Sequence, residues 1–256
     1  MALMHVNFFS GILGMCVSMD VILPQKSKES AAKPCQTLYL LHGMSDDHTI
    51  WQRRTSVERY AEAYNLAVVM PSTELGWYTD TEAGLKWYTY IAVELPEICR
   101  QFFFLSDKAE DTFVAGLSMG GYGAFKLALS RPETFSHGAS LSGALDIKEM
   151  WRRRMQHRND GEYWKAIFNS DNIQEEKINN LFVLAEARKS DGKMPELFQW
   201  CGTEDFLYQD NVKFKNHLEK IGYENNNYTE GPGAHSWDMW DAQIQNVLKW
   251  LPLQKL

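Results

Sequence analysis

Four cysteines in 256 residues, none of them in a C-x-x-C pair, give this chain neither a disulfide framework nor a thiolate metal site. Cys16, Cys35, Cys99 and Cys201 lie mostly among apolar neighbours and read as reduced thiols of a cytosolic protein. Positive charge is also scarce. The formal net charge of −7 argues against a nucleic-acid or anionic-membrane partner. The one basic run, Arg152-Arg153-Arg154, reads as a solvated helix face. Histidines and carboxylates do not cluster at ligand spacing, so neither a metal nor another cofactor is expected. No apolar run reaches the roughly 18 residues of a membrane helix. Residues 8–17 are fairly apolar, but no basic segment precedes them as in a signal peptide. They read instead as part of a hairpin, with strands at 4–9 and 16–23 joined through Gly11 to Gly14. Repeats, low-complexity tracts and interdomain linkers are missing too. A single domain over 1–256 in the cytoplasm is the expectation, and at 45% hydrophobic residues it has enough for a full core.

What the chain does have is Gly116-Leu117-Ser118-Met119-Gly120. A short apolar β-type segment, residues 112–115, runs into it, and a helix opening with Gly121-Tyr122-Gly123-Ala124 runs out of it. G-x-S-x-G between a strand and a helix is the nucleophile elbow of an α/β-hydrolase. It holds a serine on a strained turn so that the hydroxyl projects above the sheet, while the glycines let strand and helix approach closely.

A serine is inert until a base takes its proton and a third group orients that base. In this fold the partners follow in the order Ser, Asp or Glu, His. Residues 197–202 read as a strand entering the loop Thr203-Glu204-Asp205, ahead of an amphipathic helix that Gly222 stops. A carboxylate just past a strand end lies on the edge where α/β proteins collect their chemistry. Asp205 is the candidate acid and reads equally as a helix N-cap; Glu204 is its competitor. Beyond His217, which sits inside that helix, the chain has only His235, in the loop Gly231-Pro232-Gly233-Ala234-His235. His235 is therefore the candidate base. His5, His48, His137 and His157 have no helpful context.

The oxyanion formed on attack needs preorganised N–H donors. One is expected from Met119, the residue after the nucleophile. The other is expected from the loop after the third strand, residues 37–41, where Gly43 would turn the chain and aim the N–H of Met44 at the site.

With these segments in hand, the chain resembles the small esterase branch of the α/β-hydrolases that holds tributyrin esterases, feruloyl-type esterases and S-formylglutathione hydrolase (esterase D) relatives. The matching segments are Leu40-Leu41-His42-Gly43-Met44, Gly116 to Ala124, Ser140-Leu141-Ser142-Gly143-Ala144, Cys201-Gly202-Thr203-Glu204-Asp205 and Gly231 to Trp237, in the family's order. The resemblance implies Ser118, Asp205 and His235 as the triad and Met44 and Met119 as oxyanion donors. Two departures favour a general esterase over a glutathione thioesterase. Formylglutathione hydrolases typically carry a Ser-Gly-Leu-Thr-Cys-Thr type loop where this chain has His42-Gly43-Met44-Ser45-Asp46-Asp47, and they tend to have His in place of Tyr122.

Elsewhere strands and helices alternate. Residues 66–70 read as a strand closed by Pro71, 85–105 as one long helix carrying Pro96, and 135–141 as a strand. Residues 146–180, with Trp151, Tyr163, Trp164 and Phe168, form an insertion that reads as a cap over the site or, equally, as a surface or homo-oligomer contact. Trp77 and Trp237 flank the candidate loops and are the candidate walls of an acyl pocket, with core packing the alternative. The expected fold is a three-layer α/β/α hydrolase fold, its sheet mostly parallel after an N-terminal antiparallel hairpin. The expected activity is a serine carboxylesterase acting on a small-molecule ester with a short acyl or an aryl (feruloyl-type) group. A formylglutathione-type thioesterase, an acyltransferase and a non-catalytic binding module of this fold are the alternatives.

Overall fold

A computed structural model describes residues 1–25, 32–156, 161–168 and 177–256. The described residues hold eight strands: β1 (Ala2–Ser10), β2 (Met15–Leu23), β3 (Gln36–Leu41), β4 (Leu66–Pro71), β5 (Thr112–Leu117), β6 (His137–Leu141), β7 (Glu196–Gly202) and β8 (Asn226–Gly231). They form one sheet in the order β1-β2-β4-β3-β5-β6-β7-β8. β1 pairs antiparallel with β2 and β2 with β4, and every later pairing is parallel. This is the α/β-hydrolase fold.

The helices are α1 (Ile50–Arg54), α2 (Val57–Ala61), α3 (Trp87–Thr89), α4 (Leu95–Phe102), α5 (Met119–Ser130), α6 (Ile147–Met155), α7 (Gly161–Ile167), α8 (Leu181–Asp191), α9 (Tyr208–Lys220) and α10 (Trp237–Trp250). The central strands are apolar on both faces, as strands covered on both sides must be. Leu38, Leu40, Val68, Met70, Phe113 and Ala115 face a core shared with α1, α2 and α10. Tyr39, Leu41, Ala67, Val69 and Val114 face the other core, shared with α4, α5 and α9.

The segment expected as one helix over 85–105 is divided. α3 passes through a π-turn (Tyr90–Glu94) into α4, with Pro96 in the first turn of α4. Proline has no N–H to give the carbonyl four residues back, so the ladder re-registers before it. The 146–180 insertion supplies α6 and α7; its residues 157–160 and 169–176, including His157, lie outside the described set.

The chain leaves β3 towards β4 on one side and leaves β5 towards β6 on the other. That reversal opens a crevice at the carboxyl ends of β3 and β5, where doubly wound proteins place their sites. Met44 and Ser118 both stand there.

Candidate active site

Ser118 joins β5 to α5 at φ 52°, ψ −116°, outside the regions an L-residue prefers. Its N–H donates to Leu141 O at 3.0 Å, and its carbonyl accepts from Tyr122 at 3.1 Å and from Ala144 at 3.1 Å, so the strained turn is held from three directions. Gly120 lets α5 come this close. A Cβ there would lie 2.5 Å from Leu41 O and 2.6 Å from His42 O.

The side chains of Ser118, His235 and Asp205 meet although they come from distant parts of the chain. His235 Nδ1 lies 2.8 Å from Asp205 Oδ2, and its Nε2 lies 3.0 Å from Ser118 Oγ. A carboxylate only accepts, so the Nδ1 proton points at Asp205 and the Nε2 lone pair faces the serine hydroxyl. Asp205 also serves its own turn, since Oδ1 accepts the Leu207 N–H at 2.8 Å. The cap-like and acid-like readings of Asp205 thus use different oxygens of one carboxylate. Burial works against its charge, but the hydrogen bonds from His235 and the Leu207 N–H outweigh burial and hold the carboxyl below its usual range. Glu204 reaches the main chain instead. Its carboxylate accepts the Gly233 N–H at 3.0 Å and thereby fixes the loop carrying His235.

The expected oxyanion loop is anchored by three successive carbonyls, each taking a side-chain proton. Trp51 Nε1 donates to Leu41 O at 2.9 Å, the Tyr78 hydroxyl to His42 O at 2.9 Å, and His42 Nδ1 to Gly43 O at 2.7 Å. The His42 tautomer follows from its other nitrogen, which accepts the Thr73 N–H at 3.0 Å. Burial lowers its pKa, which keeps the ring neutral. Asp46 N–H also donates to Gly43 O, at 3.3 Å. Because the described peptides are trans, the Met44 N–H points opposite to that doubly held carbonyl. Gly43 itself abuts the serine: a Cβ on it would lie 3.7 Å from Ser118 Cβ and 2.6 Å from Leu117 Cδ1. Met119 opens α5 with its side chain buried, and Met44 is partly exposed at the crevice.

The two candidate pocket walls do not share a wall. Trp77 is 2% exposed and belongs to the core beneath α5 and α7. Its ring packs against Trp164 at 5.0 Å, Tyr122 at 6.1 Å and Phe168 at 6.2 Å, and its N–H donates to the Tyr163 hydroxyl at 2.8 Å. Trp237 stands on the opposite face of the sheet, edge-on to Trp51 at 5.3 Å and Trp240 at 5.2 Å. The sequence places both beside candidate loops but does not say which face each loop turns towards.

Sequence reasoning passed over Trp51, Lys126 and the anchoring role of Tyr78. Lys126 is fully buried in α5, and its Nζ donates to Tyr78 O at 2.9 Å, Thr79 Oγ1 at 2.9 Å and Asn179 Oδ1 at 2.6 Å. A lone lysine inside the apolar helix Ala124-Phe125-Lys126-Leu127-Ala128 was the available signal, because a buried ammonium needs acceptors arranged around it. The run Arg152-Arg153-Arg154 is only partly a solvated face, since Arg153 pairs with Asp210 of α9. Among the described residues no group of three His, Cys, Asp or Glu side chains is placed to hold a metal ion. Nor is any described helix long and apolar enough to cross a membrane.

Comparison with known proteins identifies the family. The Esterase family model matches residues 10–251. An acetyl esterase of Caldicellulosiruptor saccharolyticus is 32% identical, with 98% of each chain covered. A fluorophosphonate-binding serine hydrolase of Staphylococcus aureus superposes with a TM-score of 0.89 at 34% identity, over 98% of each chain. A structure described as an S-formylglutathione hydrolase of Staphylococcus aureus gives 0.85 at 34% identity, again over 98% of both.

Proposed function

The chain belongs to the Esterase family of serine hydrolases, and on that premise we propose that it is a carboxylesterase for esters of short acyl chains, with Ser118, His235 and Asp205 as its triad. The observation that carries the assignment is the unbroken hydrogen-bond line from Ser118 Oγ through the His235 ring to Asp205. Ser118 Oγ attacks the acyl carbon while its proton passes to His235 Nε2. Asp205 keeps the imidazole in the tautomer that can accept that proton and stabilises the resulting imidazolium. The N–H groups of Met44 and Met119 receive the oxyanion. His235 then protonates the departing alcohol, and a water activated by the same nitrogen hydrolyses the acyl-enzyme.

Short acyl selectivity is supported by the acetyl esterase relative and by the aromatic packing of Trp77, Trp164 and Phe168 under α5. A thioesterase reading is favoured by the S-formylglutathione hydrolase likeness alone. The test is a panel of p-nitrophenyl esters graded from acetyl to octanoyl, run beside S-formylglutathione, with fluorophosphonate labelling of the wild type and of Ser118→Ala. Labelling and turnover should both disappear with the hydroxyl, the loss in kcat being on the order of 10⁶. A folded Ser118→Ala protein that keeps a tenth of the wild-type rate removes Ser118 from the role. A higher kcat/KM on S-formylglutathione than on any oxygen ester overturns the carboxylesterase reading.

A further inference from the structure

Phe206 follows Asp205 in the chain, and its ring centroid lies 4.5 Å from that of His235. It is nevertheless 66% exposed. Exposed phenylalanines are ordinary on a surface, and Phe9, Phe102 and Phe104 are others here. Phe206 differs from them in what it touches, the imidazole that must carry the proton. It is also firmly mounted. Asp205 Oδ1 accepts the Leu207 N–H, Asp205 O accepts the Tyr208 N–H at 3.0 Å, and Leu207 itself is 1% exposed. The turn is thus fixed on both sides of a side chain that it presents to solvent.

The chemistry then says what passes beside that ring. In acylation the Ser118 Oγ–carbon bond forms as the hydroxyl proton moves to His235 Nε2. The tetrahedral adduct collapses, the carbon–oxygen bond to the alcohol breaks with its electron pair on oxygen, and the Nε2 proton goes to that oxygen. The alcohol oxygen must therefore come within about 3 Å of Nε2. Among the described residues two rings touch the imidazole: Trp240, edge-on at 4.8 Å and 4% exposed, and Phe206. Trp240 is packed away in the core and Phe206 is exposed, so of these two rings only Phe206 is open to an incoming substrate.

Resting on the esterase reading above, we infer that Phe206 is a specificity-determining residue that forms a subsite for the alcohol half of the ester and selects neutral, apolar alcohols, aryl ones above all. An aryl group gains offset or edge contact with the exposed ring as the water between them is released. Glu204, exposed two residues earlier, sets a carboxylate beside the same turn and disfavours an anionic leaving group.

The acyl-enzyme makes the inference testable. All acetates yield one acetyl-enzyme, so an alcohol subsite acts on kcat/KM, which reports acylation, and drops out of kcat wherever deacylation limits. Ethyl, butyl, phenyl and 2-naphthyl acetate are compared on the wild type, Phe206→Ala and Phe206→Leu. The ratio of kcat/KM for 2-naphthyl over ethyl acetate should fall about tenfold in Phe206→Ala and less in Phe206→Leu, because leucine still offers apolar surface to the aryl group. An unchanged ratio in Phe206→Ala, or an equal fall on ethyl and 2-naphthyl acetate, overturns the subsite. A Ser118→Ala control separates the two readings. If ester turnover survives in that control, the serine esterase assignment fails and the subsite with it. If turnover vanishes in the control while the Phe206→Ala ratio stays put, the subsite fails alone.

Discussion

The Tyr78 hydroxyl donates to the main-chain carbonyl of His42 at 2.9 Å, tying the strained turn at Trp77-Tyr78 to the loop that carries Met44. Both Trp77 and Tyr78 have positive φ, 51° and 49°, a conformation that costs bulky residues on the order of 1–3 kcal/mol each. Lys126 holds the turn in place through Tyr78 O at 2.9 Å. Burial pushes the Tyr78 phenol far above its usual pKa, so it remains a donor. Tyr78→Phe removes the hydrogen bond to His42 O and keeps the ring. Loosening rather than deleting the proposed oxyanion donor should lower kcat about tenfold, less than the roughly 10²–10³ of outright removal, with KM nearly unchanged. A boronic acid mimicking the tetrahedral adduct should lose affinity in parallel. Unaltered kcat and boronate binding would mean that Trp51 and His42 suffice to hold the loop.

The roles of Asp205 and Glu204 separate by isosteric substitution. Asn at 205 keeps the shape but lets the imidazole adopt the wrong tautomer, which costs about 10⁴ in kcat in the reference triad. Glu204→Gln retains a carbonyl oxygen for the Gly233 N–H and should cost less than about fivefold. Steady-state rates on p-nitrophenyl acetate decide between them. The reverse ranking would move the acid to Glu204.

Much of this was legible in the chain. Gly116-x-Ser118-x-Gly120 between an apolar strand and a small-residue helix specifies an elbow, and the order Ser, Asp, His leaves few candidates. The N-terminal hairpin reads directly from its two strands and the Gly11 to Gly14 turn. What stayed hidden depends on three-dimensional approach. Trp77 and Trp237 both flank candidate loops, yet one packs below α5 and the other with α10, and no period in the sequence records the sheet face. The anchoring of Leu41, His42 and Gly43 draws on Trp51 and Tyr78, 10 and 36 residues away from their acceptors. Pro96 marked a disturbance in the helix, but the π-turn falls before it, because the carbonyl that loses its partner lies one turn upstream.

Acid stability should reflect two histidines that the fold holds neutral. Burial lowers the pKa of His42 and takes that of His137 down to about 4. As pH falls below the ordinary histidine value near 6.5, the unfolded chain takes up protons that the folded chain refuses, so stability declines. For His137 the decline runs from about 6.5 to about 4 and then levels. Melting temperatures measured between pH 7 and 4 should fall accordingly. His137→Phe, in the slot between Phe113 and Trp250, should flatten part of that slope. An identical slope in the variant would place the acid sensitivity elsewhere.

Acyl length should be controlled from the Trp77 side of the sheet. Tyr122 lies one helical turn after Ser118 and touches Trp77, which in turn packs on Trp164 and Phe168. Longer acyl chains on that side must displace buried aromatic rings, whereas each added methylene gains only about 0.8 kcal/mol on burial. The wild type should therefore peak at about two to four acyl carbons on the p-nitrophenyl series. Trp77→Ala should move the peak to longer chains and, as a large-to-small change in a core, cost about 3–5 kcal/mol of stability. Measuring the melting temperature first identifies the range in which the variant is folded. Trp237→Ala should leave the length preference in place, since that ring packs on Trp51 and Trp240 across the sheet. A wild type preferring octanoyl esters would defeat the short-chain reading, and a shift caused by Trp237→Ala rather than Trp77→Ala would transfer the acyl side to the opposite face.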